Sequence, residues 1–439
     1  MKYFMNGYFF PKTIAKIKSD KFLSNSFIFF AGSILVSFGN YLFHFLMARM
    51  LSVEGYGELQ SLIAISVIIG IPMATLSIVL VKYTALFKAK EQLNKVYSLL
   101  SIFTKKILLI TAVFFILFIF FSKYIANFLN ILSVIPVVIL GCSFLPGFLG
   151  TCNNGIIQGL QKFKSASIIG TIGVVSKILL AVLLVKLSFG LNGALGAMVL
   201  SGFIGYFLAF LPLKFLFGRE KQEVETKQIF QYFFPVFFTL FFVTLLYNID
   251  IVLVKHFLSP RAAGEYGALA LIGHIVFFLG GPIVGVMFPM AVTAQANHQD
   301  PSKVFKKTIF LVSLIGLVVL GVYFLLPNFV IKILVGSKFL SISKFLGWFG
   351  VSMFFYSLIS LFSQYFLSIH KTKFFWLVGI GVLAQTMLIS IWHQNLWQII
   401  WIMNITMLST LVLLVIYYLI SCKAATVTKP VFERFSVKG

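Results

Sequence analysis

The sequence predicts an all-α integral membrane protein of about twelve transmembrane helices, in two parallel six-helix lobes around a central cavity. Three observations predict it. Of 439 residues, 60% are hydrophobic and only 10% charged, with a mean hydropathy of +1.03, whereas water-facing domains carry about 25% charged residues. Apolar runs of bilayer length recur along the whole chain. Most of the 35 Lys and Arg residues fall in alternate connecting segments, on one side of the bilayer.

The spans begin near Ser26, Ser61, Ile107, Ser133, Ala166, Asn192, Gln231, Gly267, Thr308, Ile342, Phe374 and Trp397. A Lys-rich tail, residues 1–25, precedes the first. Its apolar run reaches Met47, is followed by Arg49 and has no small-residue cleavage site, so it reads as a retained span rather than a secretory signal. Basic residues crowd the N-terminal tail, residues 82–106, 162–164, 214–227, 303–307 and 371–373, and the tail 421–439. The opposite segments hold only Arg49, Lys123, Lys186, Lys255, Arg261, Lys332, Lys338 and Lys344. The positive-inside rule therefore puts both termini in the cytoplasm. Within residues 82–106, Leu86, Ala89, Leu93, Val96, Leu100 and Phe103 recur at helical spacing, so an amphipathic helix on the anionic inner leaflet is expected there. The net charge of +24 is thus a topology signal, and no nucleic-acid partner is expected. Cys142, Cys152 and Cys422 offer no disulfide framework and read as core residues.

An internal repeat divides the chain. Leu51-Ser52-Val53-Glu54-Gly55-Tyr56-Gly57-Glu58-Leu59 follows the first span, and Leu258-Ser259-Pro260-Arg261-Ala262-Ala263-Gly264-Glu265-Tyr266-Gly267-Ala268-Leu269 follows the seventh. At one fixed offset Tyr56, Gly57, Leu59, Ile65, Gly70 and Pro72 recur as Tyr266, Gly267, Leu269, Ile275, Gly280 and Pro282. Both loops lie on the same side, so the halves are parallel repeats about an axis along the membrane normal. The N-lobe is placed at 26–213, a hydrophilic cytoplasmic linker at 214–230 and the C-lobe at 231–420. Pro72 and Pro282 fall mid-span, where proline removes a backbone hydrogen bond and kinks a helix.

Several stretches carry a family resemblance. Arg49-Met50-Leu51-Ser52, Tyr56-Gly57-Glu58-Leu59 and Val81-Lys82-Tyr83 open the pattern, and Gly155-Ile156-Ile157-Gln158-Gly159-Leu160-Gln161-Lys162-Phe163 continues it after span four. Residues 250–259, with Gly264-Glu265-Tyr266 and Phe288-Pro289, complete it. Together they resemble the bacterial polysaccharide-biosynthesis flippases of the multidrug/oligosaccharidyl-lipid/polysaccharide exporter superfamily, from about Phe27 to Ile420. The chain departs from the usual pattern at Val53-Glu54-Gly55. The resemblance implies alternating access, with a polyprenyl-pyrophosphate-linked oligosaccharide carried from the cytoplasmic to the outer leaflet for cell-surface polysaccharide assembly. It further implies a multi-pass protein of a bacterial or archaeal plasma membrane that is not an enzyme. Lipid-linked oligosaccharide and membrane lipids are the expected partners, and glycan-assembly proteins are further candidates. No cofactor or metal is expected, and the choice of coupling ion, H⁺ or Na⁺, stays open.

A sugar-pyrophosphate headgroup needs a wet, cationic route past lipid, so charges within spans come first. Lys177 lies about 16 Å into span five and is the candidate cation for the pyrophosphate, against a structural lysine as the alternative. Asn40 and His44, one turn apart on span one, are lumen candidates, as are Arg49 and Lys255, which follow matching spans of the two halves. Asp250, late in span seven beside Asn248, is the candidate coupling or interlobe residue, with a helix-terminal salt bridge as its plainer reading. Gln364 and Gln385, inside spans ten and eleven, suit either sugars or neighbouring helices. Walker-type phosphate loops, His-Glu-x-x-His and Gly-x-Ser-x-Gly are absent from the sequence, so direct ATP drive and hydrolytic chemistry are not expected. The competing readings are an organic-cation antiporter of the same superfamily and a membrane polysaccharide polymerase or ligase. The first needs an acidic lumen, and the second generally carries a large extracytoplasmic loop.

Overall fold

In the computed structural model, residues 21–224, 226–296, 299–369 and 371–425 are described, and among them there is no strand. The helices are α1 Lys21–Met50, α2 Val53–Ala89, α3 Leu93–Phe128, α4 Ile135–Gly159, α5 Phe163–Leu184 and α6 Gly190–Leu208 in the first half. The second half has α7 Thr226–Leu246, α8 Ile249–Phe257, α9 Pro260–Gly273, α10 Ile275–Ala296, α11 Ser302–Leu325, the short α12 Pro327–Leu334, α13 Ser343–Ser368, α14 Phe375–Ile391 and α15 Leu396–Ala425. Among the described residues nine apolar stretches are long enough to cross a membrane, or ten if the pair bent by 43° at the α7–α8 break is one span. One of the nine, Phe163–Leu216, contains both α5 and α6, which fold back on each other where Ser188 and Gly190 take positive φ. With the shorter apolar helix α14, about twelve spans result, as the apolar runs predict.

The amphipathic helix expected over residues 82–106 does not form. Helices α2 and α3 are 37 and 36 residues long, well beyond the about twenty that hydrocarbon requires, and their surplus turns project past the spans. They meet at a tight turn, residues 90–92, with Glu91 at φ 56°. Val96, Leu100 and Phe103 are buried against protein, whereas Leu86 and Ala89, before the turn, stay exposed, so the apolar positions seen in the sequence do not share one lipid-facing surface.

The chain forms two compact units. The first is Met1–Leu240 together with Ser259–Ala268 and Ile333–Phe339; the second is Phe241–Leu258, Leu269–Lys332 and Leu340–Gly439. Two segments from the second half of the sequence therefore pack with the first unit. In that unit α1 lies on α5, and α4 lies on α2, α3 and α6. The Gly155-x-x-x-Gly159 spacing puts both glycines on the face that α2 approaches. A Cβ on Gly159 would stand 2.8 Å from the Val81 carbonyl, and one on Gly155 would stand 3.1 Å from that of Ser77. That stretch of the family pattern is thus a helix-packing device.

In the second unit α10, α11 and α13 form a triangle, α13 and α14 pack on α15, and α14 also meets α8. Here two spans are interrupted, at residues 247–248 and at His274, although their counterparts α1 and α2 in the first half are continuous. Breaks free backbone carbonyls that hydrocarbon cannot solvate. Tyrosines supply donors near both: Tyr356 Oη donates to the Val243 carbonyl at 3.2 Å, and Tyr323 Oη to that of Ile272 at 2.6 Å. Pro72 and Pro282 lie inside α2 and α10 and interrupt neither.

Candidate functional site

Lys177 sits two-thirds of the way along α5, about 10 Å from its C-terminal end at helical rise. The facing helix α1 comes close, with Gly39 lying against Val174 one turn earlier. This approach sets Asn40 opposite Lys177, and the ammonium donates to Asn40 Oδ1 at 2.5 Å. The same nitrogen stands 4.6 Å from the centre of the Phe43 ring, a cation–π contact. Phe43 in turn meets the His44 ring edge-on at 5.4 Å. Lys177, Asn40, Phe43 and His44 therefore form one cluster within the first unit. Among the described residues no carboxylate pairs with Lys177, so the ammonium is held by neutral groups.

Sequence reasoning named three of these four residues and missed Phe43. Its signal was present, because Phe43 is three residues from Asn40 and so shares its helical face.

Arg49 occupies a different place, at the C-terminal end of α1, exposed. Its guanidinium donates to the Ile333 carbonyl near the C-terminal end of α12. Lys338, four residues past that helix, donates to the Leu51 carbonyl and, at 3.3 Å, to the Arg49 carbonyl. Each helix end thus has its spare carbonyls met by a cation from the other, as helix C-termini favour. The Tyr56 and Phe339 rings pack edge-on beside them at 5.9 Å. The repeated loops meet here as well: a Cβ on Gly264 would fall 2.0 Å from the Val53 carbonyl, and one on Gly57 only 2.6 Å from the Gly264 amide nitrogen. Gln60 Nε2 adds a long hydrogen bond to the Gly267 carbonyl at 3.4 Å.

Asp250 and Lys255 lie on α8 in the second unit, and both are buried, at 0% and 1% exposure. Lys255 therefore presents no ammonium at a rim. Asp250 is in the first turn of α8, where the helix dipole favours a carboxylate. Beside the break, the Tyr247 ring packs on His274 at 5.4 Å and on Tyr356 at 5.0 Å. Gln385 is fully buried, while Gln364 lines a cavity between α10 and α13. At the opposite end of the first unit, the linker lies along α3: the Gln222 amide donates to Ser98 Oγ at 2.8 Å, and Arg219 reaches Asn94 Oδ1 at 3.5 Å.

The fold defines a multi-pass membrane protein with the architecture of known transporters. A multidrug-resistance MATE family transporter of the MOP superfamily, in its inward-facing form, superimposes with a TM-score of 0.76 at 12% identity, over 91% of this chain and 96% of that one. The lipid II flippase MurJ, in an inward closed conformation, gives 0.68 at 18% identity over 90% and 87%. A MOP-superfamily transporter from Pyrococcus furiosus, described as having a binding pocket of reverse polarity, gives 0.65 at 15% identity over 92% and 95%. In sequence, an uncharacterized membrane protein of Methanocaldococcus jannaschii is 26% identical over 296 residues, which is 62% of this chain and 68% of that protein. The family model described as polysaccharide biosynthesis protein matches residues 46–344, and the chain belongs to that family.

Proposed function

We propose that the protein is a flippase that moves a polyprenyl-pyrophosphate-linked oligosaccharide across a bacterial or archaeal plasma membrane by alternating access. The observation that carries this reading is the Lys177 ammonium, held inside a span by Asn40 and Phe43 rather than by a carboxylate. A pyrophosphate entering there supplies the countercharge that an intramembrane lysine otherwise lacks. Family membership and the shared fold with a lipid II flippase support the same reading. We propose both termini in the cytoplasm, from the charge alternation, and drive by an ion gradient or the membrane potential. Arg49, exposed at the C-terminal end of α1, would meet the phosphate on release.

Organic-cation export has one observation in its favour, the buried carboxylate of Asp250. One experiment separates the two. In a bacterium lacking its oligosaccharide flippase, wild type restores surface glycan, while Lys177→Ala at equal membrane abundance lowers it by about tenfold or more, and Lys177→Arg retains part. Cation efflux by wild type without glycan rescue would instead establish the antiporter.

A further inference from the structure

The cavity in the second unit has no part in the site around Lys177. It is a half-open cleft of about 240 Å³, the space of roughly eight water molecules. One wall is α10, where Gly280, Gly281 and Gly285 leave the helix without side chains, and Phe277 and Phe288 also line it. The other wall is α13, whose Ser357, Ser360 and Gln364 recur at helical spacing and so share a face. Ser357 spends its hydroxyl on the Phe354 carbonyl of its own helix at 3.0 Å. Ser360 and Gln364 have no hydrogen-bond partner among the described residues, and both line the cavity.

From this we infer that the cavity is a binding site for one neutral sugar ring, which rests on and deepens the flippase reading. A glutamine amide offers two donors and an acceptor, and a serine hydroxyl offers one of each. Polar groups with no protein partner favour an occupant that can hydrogen-bond to them. No charged side chain lines the cavity, so an anionic headgroup finds no countercharge there. The two phenylalanine rings in the lining favour an occupant with apolar C–H faces as well as hydroxyls. A pyranose has both, whereas a prenyl chain has no hydroxyls and a uronic acid adds an unmet charge.

The test uses the full chain in lipid nanodiscs and reads the shift in thermal midpoint with hexyl β-D-glucoside, hexyl β-D-glucuronide and hexyl tetraethylene glycol ether. The glucoside is expected to raise the wild-type midpoint saturably, and the other two are not. Gln364→Met removes the amide at similar size and is expected to weaken the glucoside about tenfold. Gly281→Leu puts a side chain into the cavity at a position where nothing lies within 4 Å of a Cβ, and the glucoside shift should vanish. Equal shifts in Gln364→Met and wild type overturn the inference. So does an equal shift with the ether, which means chain binding, or no glucoside shift at all, which means a cavity holding water only. Glycan rescue read in parallel keeps the two proposals apart. Glucoside binding without rescue overturns the flippase alone, and rescue with unaltered binding in Gln364→Met overturns the sugar site alone.

Discussion

Asp300 shows how a single residue sets a helix start. Its carboxylate accepts from the Ser302 backbone N–H at 2.9 Å and from the Ser302 hydroxyl at 2.5 Å, just ahead of α11. These bonds hold its pKa below the usual carboxylate range, and the nearby Lys303 and Lys306 act in the same direction. A depressed folded-state pKa contributes stability above the unfolded value of about 3.9, and that contribution is lost as pH falls through the folded value. Asp300→Ala is therefore expected to cost at most about 1 kcal/mol at neutral pH, because the group is largely exposed and screened. The difference from wild type should shrink in acid, and thermal midpoints at pH 7 and pH 3.5 check it. Lys177 and Asn40 were legible as separate candidates, but their contact was not. Depth follows from residue count, whereas the direction a side chain faces follows from which helices pack together.

Among elements, the pairing of α2 with α9 is the most constrained. The repeated Tyr-Gly motif reads in sequence as a family mark, and the structure gives it a physical basis in close approach: Gly57 meets the Gly264 backbone, and a Cβ on Gly267 would stand 3.1 Å from the Gln60 side chain. Gly264→Ala should force the helices apart and cost about 1–3 kcal/mol. Gly281→Ala, which adds its methyl to open space, should cost little. Comparing the two midpoints in nanodiscs tests the contrast. Element boundaries were legible wherever apolar length decided them. The misread stretch, residues 82–106, has true helical periodicity, but periodicity reports a buried face without saying whether lipid or protein buries it. The breaks at 247–248 and 274 left no mark either, since neither position holds proline, and the mid-span Pro72 and Pro282 lie within intact helices.

The molecule as a whole pairs sequence symmetry with structural asymmetry. The two halves repeat in their loops and in the Gly-x-Pro of spans two and eight, yet only the second half interrupts its first two spans. Backbone amides beside residues 247–248 and 274 are expected to exchange hydrogen faster than those at the matching positions of α1 and α2, as measured by mass spectrometry in nanodiscs. Equal protection in both halves would show that the tyrosine donors restore full helical stability. All-helical class, span number and family were readable from composition, charge placement and motifs. The sugar-sized cavity was not, because it arises from three helices that only the fold brings together.

The exchange of cations between the ends of α1 and α12 also bears on how the protein is made. Lys338 follows Leu51, whose carbonyl it caps, by 287 residues. At about 5–20 residues per second, the ribosome needs about 15–60 seconds to cover that interval. Throughout it, the first helices are already in the bilayer with their rim unfinished, and any transcript cut short before codon 338 leaves the rim open for good. The machinery that inserts this chain must shelter those carbonyls, or leave them to water, until the donor arrives.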